Sequence, residues 1–215
     1  MKIIALGDCH FPYHHSKSVA WALRFIKDHK PNRIILLGDC IDFYSVSRFE
    51  RDPQKRDLDW ELRITKEFIE QIDSFSVPVS FVVGNHEHRY QKWLWANAVE
   101  LSNILPLEKL LGLPKRWEVV KYNQQVAYND VMFFHGTKCG PALFSKNLNL
   151  GISSVQGHSH LLGCHSRRLA NNKIITAASA GTLADYDVEY STYPDWQRGL
   201  VFIEGQQITP VVCPY

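Results

Sequence analysis

The stretch that decides the fold is Val77-Pro78-Val79-Ser80-Phe81-Val82-Val83-Gly84-Asn85-His86-Glu87-His88-Arg89. Its first part is rich in β-branched and aromatic residues and stops at Gly84, which is typical of a buried strand. The polar side chains of Asn85, His86 and His88 follow at once. Loops at the carboxyl ends of strands usually carry the chemistry of α/β proteins. The stretch therefore predicts an α/β fold with a functional site at its strand ends.

Four other apolar runs end in the same way. Each one is followed by aspartate or histidine within a few residues, and the four motifs are Gly7-Asp8-Cys9-His10, Gly38-Asp39-Cys40-Ile41-Asp42, His135-Gly136 and Gly157-His158-Ser159-His160. Five strands that deliver such side chains to one edge of a fold predict a single polar site. Asp, Asn and His together are the ligand types that suit manganese, iron, zinc or nickel.

Length and composition are those of an ordinary globular protein. The chain has 215 residues, which suits one domain over residues 1–215 with a sizeable core. A formal net charge of +2 does not mark a strong binder of polyanions, although it leaves room for a local basic groove.

Cysteine usage and hydropathy predict a cytoplasmic protein. The five cysteines are odd in number and form no Cys-x-x-Cys pair, so a disulfide framework or a zinc finger is not expected. The first strand begins at Ile3, which leaves no space for a signal peptide. No apolar run approaches the roughly 20 residues that cross a bilayer, and no membrane association is expected.

The order of predicted elements is βαβαβα, followed by mostly antiparallel strands. This order favours two packed sheets flanked by helices. Tyr90 to Leu111 is predicted as a helix that Pro106 interrupts, and the strands after residue 160 are predicted to pair antiparallel, with a hairpin at Gly205.

A pair of metal ions needs a ligand that spans both. Two ions about 3.5–4 Å apart normally share a bridging ligand, and a carboxylate can serve. The candidates are Asp8 and Asp39, and Asp39 is the better bridge because it stands in the middle of the five motifs. A lone Gly-Asp after a strand often only caps a helix, and a lone histidine is more often packed than ligating. The complete ordered set favours the metal site.

The ordered motifs resemble those of the calcineurin-like metallophosphoesterases. The resemblance runs from Asp8 to His160 and implies a four-layer αββα sandwich of two mixed sheets flanked by helices. It also implies two divalent metal ions, with manganese favoured over iron, zinc or nickel. The first ion would be held by Asp8, His10, Asp39 and His160. The second would be held by Asp39, Asn85, His135 and His158, with Asp39 as the bridge.

The same resemblance implies catalytic roles for His86 and Asp42. The histidine after the metal-binding asparagine is not a ligand in this family, and His86 is expected to assist the leaving oxygen. Asp42 stands where the family has the carboxylate partner of that histidine. A carboxylate bonded to imidazole favours the protonated ring. The implied reaction is hydrolysis of a phosphoester by water that the metals activate.

The chain departs from the protein Ser/Thr phosphatases of the family. Those continue the second motif as Asp-Arg-Gly, whereas Phe43 and Tyr44 follow Asp42 here, so a protein phosphatase is not expected. Arg89 is the candidate for binding the substrate phosphate in place of the missing arginine. A plain ion pair of Arg89 with Glu87 or Glu50 is an equal alternative.

A phosphodiesterase acting on a nucleotide or nucleic acid is the favoured function. Aromatic side chains of segments 43–49 and 186–196 are expected to stack on bases. Basic side chains could meet a phosphate backbone, namely Arg48, Arg51, Lys55, Arg56, Arg89 and Lys92. Residues 194–199 are similar to a segment of small phage and bacterial members of the family. A phosphomonoesterase for a small molecule and a non-catalytic scaffold are the alternatives.

Overall fold

The fold places two β-sheets face to face between layers of helices. The structure is a computed structural model that describes residues 1–48, 52, 54, 57–186 and 195–215. In chain order the elements are β1 (Lys2–Leu6), α1 (Ser16–His29), β2 (Arg33–Leu36), α2 (Leu58–Asp73), β3 (Val79–Val82), α3 (Asn85–Asn97), α4 (Leu107–Leu111), β4 (Glu118–Val120), β5 (Val126–Tyr128), β6 (Val131–Phe134), α5 (Ala142–Leu148), β7 (Ser153–Gln156), β8 (Leu162–Arg168), β9 (Ile174–Ala180), β10 (Gly199–Glu204) and β11 (Gln207–Val212).

The first sheet has six strands in the order β11-β10-β1-β2-β3-β4. The strands β1, β2, β3 and β4 run parallel, and β10 joins β1 antiparallel. The second sheet has five strands in the order β5-β6-β7-β9-β8. Its centre, from β6 through β7 to β9, is parallel, while β5 and β8 pair antiparallel at the two edges. Both sheets are therefore mixed.

Successive side chains of β1 point to opposite faces of the first sheet, and this alternation shows how the layers pack together. Ile4 and Leu6 face the core that α1 to α4 form on the first sheet, whereas Ile3 and Ala5 face the second sheet. All four side chains are buried, as expected for a strand covered on both faces. A smaller apolar cluster joins Leu148 of α5 to the outer face of the second sheet. The four layers are thus helices, sheet, sheet and helix, and the predicted αββα sandwich is confirmed.

The region after β3 differs from its prediction. The helix α3 begins at Asn85, directly after the strand, and ends at Asn97. The predicted helical stretch from Tyr90 therefore ends earlier than expected, while α4 begins directly after the predicted interruption at Pro106. The early start of α3 follows from the Glu87 side chain, which accepts the Gly84 N–H at 2.9 Å and satisfies a donor that the helix itself leaves unpaired. Its early end coincides with the Asn97 side chain, which donates to the Trp93 carbonyl oxygen.

The strands after residue 160 also differ in part. They were expected to be antiparallel, and β8, β10 and β11 are, but β9 pairs parallel with β7. The hairpin at Gly205 joins β10 to β11 as expected. Within the described part of the chain, no helix combines the length and the apolar character that crossing a membrane requires.

Candidate metal centre

The five polar motifs meet at one edge of the two sheets. They follow β1, β2 and β3, which are parallel neighbours in the first sheet, and β6 and β7, which are parallel neighbours in the second. The carboxyl ends of these strands therefore share one edge. Of the nine residues predicted as metal ligands or catalytic groups, seven are buried, namely Asp8, His10, Asp39, Asp42, His86, His135 and His160. Asn85 and His158 are half-buried.

The backbone at this edge is held in an uncommon conformation. Five of the seven predicted metal ligands have a positive φ, between 48° and 64°: Asp8, His10, Asp39, His158 and His160. A side chain other than glycine in this left-handed region costs free energy, and such residues cluster at functional sites. The tight turns let residues two apart, such as Asp8 and His10, serve the same site.

Glycine lets the strand ends approach each other. A Cβ atom at Gly84 would lie 2.3 Å from Oδ1 of Asp39, and one at Gly38, whose φ is +93°, would lie 2.7 Å from the Gly84 backbone. No side chain fits in that space. The two glycines that end β2 and β3 therefore bring Asp39 next to the start of α3.

The first group of possible metal ligands contains Asp8, His10 and His160. Their ligand atoms lie within 4.8 Å of one another. Nε2 of His10 lies 3.1 Å from Nε2 of His160, which in turn lies 3.4 Å from Oδ1 of Asp8. Nδ1 of His10 donates to Oδ2 of Asp42 at 3.0 Å, so the neutral ring of His10 carries its lone pair on Nε2. That lone pair faces into the group.

The second group contains Asp39, His135 and His158, again within 4.8 Å of one another. Nδ1 of His135 donates to the carbonyl oxygen of Leu37 at 2.7 Å, so the neutral ring carries its lone pair on Nε2. Nε2 lies 2.8 Å from Oδ1 of Asn85 and 3.4 Å from Oδ2 of Asp39. In the neutral form of the ring, Nε2 of His135, Oδ1 of Asn85 and Oδ2 of Asp39 are acceptors that face one another.

Asp39 lies between the two groups. Its Oδ2 atom is 3.4 Å from His135 Nε2 and 4.0 Å from His10 Nε2, while Oδ1 accepts the backbone N–H of His86 at 2.8 Å. Burial raises the pKa of Asp39, but the neighbouring rings of His135 and His86 outweigh burial and hold that pKa well below its ordinary value. The carboxylate is therefore ionised.

The donor set fits divalent metal ions. Inward-facing lone pairs of His10 and His135, with the second ring nitrogen of each donating to a carboxylate or a backbone carbonyl, form the arrangement that orients metal-binding histidines. Nδ1 of His160 is a buried nitrogen that has no hydrogen-bond partner within the described residues. The charge of Asp39 overcomes the effect of burial and raises the pKa of His135 to about 10. Because of this raised pKa, the metal-free site holds an additional proton on the ring of His135. The site therefore favours a positive charge at the position of that proton.

His86 and Asp42 are adjacent, but their contact differs from a simple pair. Nδ1 of His86 donates to the backbone carbonyl oxygen of Asp42 at 2.8 Å and lies 3.3 Å from the Oδ2 carboxylate atom. The same Oδ2 atom accepts from His10, so Asp42 serves both histidines. Its buried carboxyl has a pKa below its ordinary value, because hydrogen bonds from His10 and His86 outweigh burial.

His86 itself is close to a third group of possible ligands. Its Nε2 atom lies 3.8 Å from Oδ2 of Asp39, and the two residues form a cluster with His10. Burial lowers the pKa of His86, but Asp39 and Asp42 raise it more, and the balance lies above the ordinary value.

Arg89 contacts the catalytic candidates directly. Nη2 donates to Nε2 of His86 at 2.8 Å, and Nη1 donates to the backbone oxygen of Asp42 at 3.2 Å. The alternative pairing of Arg89 with Glu87 is wrong, because the Glu87 carboxylate is occupied elsewhere. Glu50, the other alternative partner, lies outside the described residues.

Glu87 is a site residue that the sequence did not assign. The side chain has no exposed surface, and its carboxylate accepts the backbone N–H groups of Asp39, Cys40 and Gly84 at 2.7–2.9 Å. Burial and the charge of Asp39 raise the pKa of Glu87 to about 7. The signal for this role was its position three residues after Gly84, since a glutamate there often caps a helix.

The loops expected to stack on bases are only partly accessible. Phe43 is fully buried and stacks on Tyr90 at 5.4 Å between ring centroids, so its expected contact with a base is wrong. Trp196 is half-buried with its ring edge against His160, and Tyr186 is covered on one face by Arg198. Several residues of the predicted aromatic and basic surface lie outside the described residues, namely Phe49, Arg51, Lys55, Arg56 and 187–194.

The fold and the site together define an α/β sandwich protein with a metal-type donor cluster at the edge of its two sheets. The model of the calcineurin-like phosphoesterase family matches residues 1–174, and the chain belongs to that family. This family typically has a dinuclear metal centre. The resemblance inferred from the motifs is therefore confirmed.

Related chains come from phages, and a bacterial structure shares the fold. The Gene 54 protein of Mycobacterium phage L5 is 24% identical over 239 residues, which cover 99% of this chain and 93% of that protein. The Gene 54 protein of Mycobacterium phage D29 is 23% identical with the same coverage. The structure of YfcE, a phosphoesterase from E. coli, aligns over 99% of both chains with a TM-score of 0.50 and 17% identity.

Proposed function

We propose that this chain is a phosphodiesterase that depends on two divalent metal ions and acts on a nucleotide or a nucleic acid. The observation that carries the proposal is the convergence of acceptor atoms around Oδ2 of Asp39. Nε2 of His135 and Nε2 of His10 both face that atom, and each ring is fixed by a hydrogen bond at its Nδ1 atom. A cation satisfies this arrangement.

The seven proposed ligands divide between two positions. Asp8, His10, Asp39 and His160 would hold one ion, and Asp39, Asn85, His135 and His158 the other. When bound, such ions lower the pKa of water and offset the negative charge that develops on a phosphoryl group. Manganese is our first choice, and the same ligand types also accept iron, zinc or nickel.

His86 is proposed to donate a proton to the leaving oxygen. Its Nδ1 atom is committed to the backbone oxygen of Asp42, so Nε2 is the atom that can reach a substrate. For this role the ring must carry a proton on both nitrogens. The carboxylates of Asp39 and Asp42 favour that state, because both raise the pKa of His86.

Arg89 is proposed to bind a phosphoryl oxygen. Without substrate its guanidinium donates to Nε2 of His86, which is the atom that must carry the proton in catalysis. A phosphate that takes the guanidinium hydrogen bonds frees Nε2 for protonation. Substrate binding and the protonation of Nε2 of His86 are thereby coupled.

A diester suits the charges and the space of this site better than a monoester. A diester carries one negative charge, whereas a monoester near neutral pH carries nearly two and needs more cationic partners. The Arg89 guanidinium lies 3.7 Å from Oδ1 of Asp42, so part of its charge is already offset. A cleft next to His135 leaves space for the second organic group of a diester.

A reducing compartment fits the thiols. All five cysteines are free, and Cys9 and Cys40 lie buried beside the ligands Asp8 and Asp39. Because oxidation at these positions would disturb the site, we place the protein in the cytoplasm.

The test compares two chromogenic substrates. Manganese-loaded protein is given bis-p-nitrophenyl phosphate and p-nitrophenyl phosphate at matched concentrations. The expected result is a higher kcat/KM for the diester, loss of hydrolysis on chelation and its return with manganese. Preference for the monoester would replace the proposal with a small-molecule phosphatase, and no hydrolysis of either would indicate a scaffold.

A further inference from the structure

A cleft of about 340 Å³ opens beside His135 at the carboxyl ends of β6 and β7. Met132 and Phe134 line it from the outer face of the second sheet, since Val131 and Phe133, the alternate residues of β6, are buried between the sheets. The volume lies at the lower end of the roughly 300–1,000 Å³ that small-molecule sites occupy. A nucleoside-sized group fits such a cleft.

The lining is rich in amides and almost without charge. Five of the lining residues carry a side-chain amide, namely Asn123, Gln124, Gln125, Asn147 and Gln156. Lys138 provides a single ammonium group, and no carboxylate occurs among the lining residues that the structure describes. Amide groups can donate and accept hydrogen bonds at the same time. Such a set recognises a neutral ligand with both donors and acceptors on its edge.

A hydrogen-bonded network fixes one wall of the cleft. The fully buried Gln156 side chain donates from Nε2 to the carbonyl oxygens of Lys138 and Gly157, at 3.0 and 3.1 Å. Its Oε1 atom accepts from Nδ2 of Asn147 at 2.7 Å. Asn147 is also buried, and this bond leaves its Oδ1 atom to accept from a ligand. A satisfied network of this kind is rigid and keeps the wall in place.

The composition excludes other classes of ligand. A second phosphate group would need several exposed cations, and a basic peptide would need carboxylates, whereas the described lining offers one exposed lysine, the buried ring of His135 and no acid. A purely apolar group would cover the exposed amides of Asn123, Gln124 and Gln125 without giving them hydrogen-bond partners, which costs free energy. A nucleobase is flat and neutral, its faces suit Phe134, and its edge suits the amides.

From these observations we infer that the cleft is a nucleoside subsite, which holds the base of a phosphodiester whose phosphate lies at the His135 end. This inference rests on the proposed function and specifies its substrate class. Its geometric basis is that His135 belongs both to the cleft lining and to the donor group around Asp39. The ring of His135 is buried against Leu37 and Asn85, so the cleft begins next to the donor group, and a nucleoside attached to a phosphate there would extend over the sheet edge towards the amides.

The test compares diesters that differ only in the group facing the cleft. Methyl p-nitrophenyl phosphate has no base, while the p-nitrophenyl esters of thymidine 5′-phosphate and adenosine 5′-phosphate do. We expect at least one nucleoside ester to exceed the methyl ester about tenfold in kcat/KM, which is the size of one stacked base. Hydrolysis of all three at equal rates would refute the subsite and leave the diesterase intact, whereas hydrolysis of none would refute the diesterase itself.

Two variants test whether the higher kcat/KM of the nucleoside ester over the methyl ester depends on the cleft. Asn147→Leu removes the buried amide, and Lys138→Gln removes the exposed ammonium without risk to the fold. Each is expected to reduce the advantage of the nucleoside ester at least threefold. The matched control is Lys146→Gln, which changes an exposed lysine outside the cleft and should keep the full advantage. An unchanged advantage in both cleft variants contradicts the inference.

A binding measurement tests the subsite without requiring that the protein hydrolyse a substrate. Thymidine and adenosine are titrated into metal-free protein by calorimetry. We expect heat of binding for at least one nucleoside, and affinity reduced at least threefold in Lys138→Gln but not in Lys146→Gln. Absence of binding by both nucleosides overturns the subsite, as equal hydrolysis of the three esters does.

Discussion

Arg89 donates from Nη2 to Nε2 of His86 at a distance of 2.8 Å. This contact occupies the ring nitrogen proposed to deliver a proton. It requires the neutral ring, whereas Asp39 and Asp42 raise the pKa of His86 and favour the protonated ring. A metal ion at Asp39 would offset one of these carboxylates. Proton, metal ion and guanidinium therefore compete for the region around Nε2 of His86.

Replacement of His86 tests the proton donor. His86→Asn is expected to keep both metal ions and to reduce kcat about a hundredfold or more, since general acid catalysis contributes on that order. The loss should be largest for leaving groups of high pKa, because these need the proton most. Metal content by mass spectrometry and a series of aryl esters provide the measurement. Equal losses for good and poor leaving groups contradict the acid role.

Replacement of Arg89 tests the phosphate contact. Arg89→Met removes charge-assisted hydrogen bonds and is expected to raise KM for the diester about tenfold. It should also shift the alkaline limb of kcat/KM to higher pH, because Arg89 lowers the pKa of His86 in the free enzyme. The matched control is Lys66→Met, which removes an exposed charge from α2. A structural role alone would lower the unfolding temperature but leave the pH profile unmoved.

The ordered motifs predicted the meeting of five strand ends, but several contacts in the site depend on tertiary structure. Asp8 and His158 were predictable, since the spacing of each after its strand indicated a shared edge. Asp42 and Glu87 make contacts that depend on tertiary structure. Asp42 serves both His10 and His86, and Glu87 ties the ends of β2 and β3 together. The pairing of Asp42 with His86 was implied by the family resemblance, whereas the bond of Asp42 to His10 and that of Glu87 to Asp39 were not expected, because each joins the ends of different strands.

Asp39→Asn tests the central carboxylate. The amide keeps the shape of the side chain but removes the charge that both donor groups face. We expect the purified variant to retain less than one metal ion per chain and to lose diester hydrolysis. Asp130→Asn changes an exposed aspartate and is the control. A variant with two tightly bound ions would refute the bridge.

His135 predicts how the stability of the metal-free protein depends on pH. The ring has its pKa raised from 6.5 to about 10, so the folded state binds its proton more tightly than the unfolded state. The stability that this proton provides is complete below pH 6.5 and is lost as the pH rises to about 10. We expect the unfolding temperature to fall over that window in the wild type, and to fall less in His135→Gln.

Manganese should remove most of that pH dependence, because a bound ion takes the place of the proton on His135. Binding near pH 8 should then release protons, which calorimetry in buffers of different ionisation enthalpy detects. A metal-free protein whose unfolding temperature is constant from pH 7 to pH 10 would exclude a protonated His135. So would metal binding without proton release.

Glu87 predicts a stability effect that is separate from metal binding. Glu87→Ala leaves the buried N–H groups of Asp39, Cys40 and Gly84 without their acceptor, and each such loss costs roughly 1–3 kcal/mol. The expected result is a large drop in unfolding temperature. Because Asp39 loses its fixed position, the affinity for manganese should also fall about tenfold or more.

Glu61 provides the matched comparison for this prediction. It too is a buried glutamate, and it accepts the backbone N–H groups of Tyr44 and Ser45 at 2.9–3.0 Å, but it touches no proposed ligand. Glu61→Ala should therefore destabilise the fold to a similar extent and weaken manganese binding much less. If both variants lose metal affinity equally, the effect of Glu87 is general destabilisation. If only Glu87→Ala does, its carboxylate positions Asp39 for the metal.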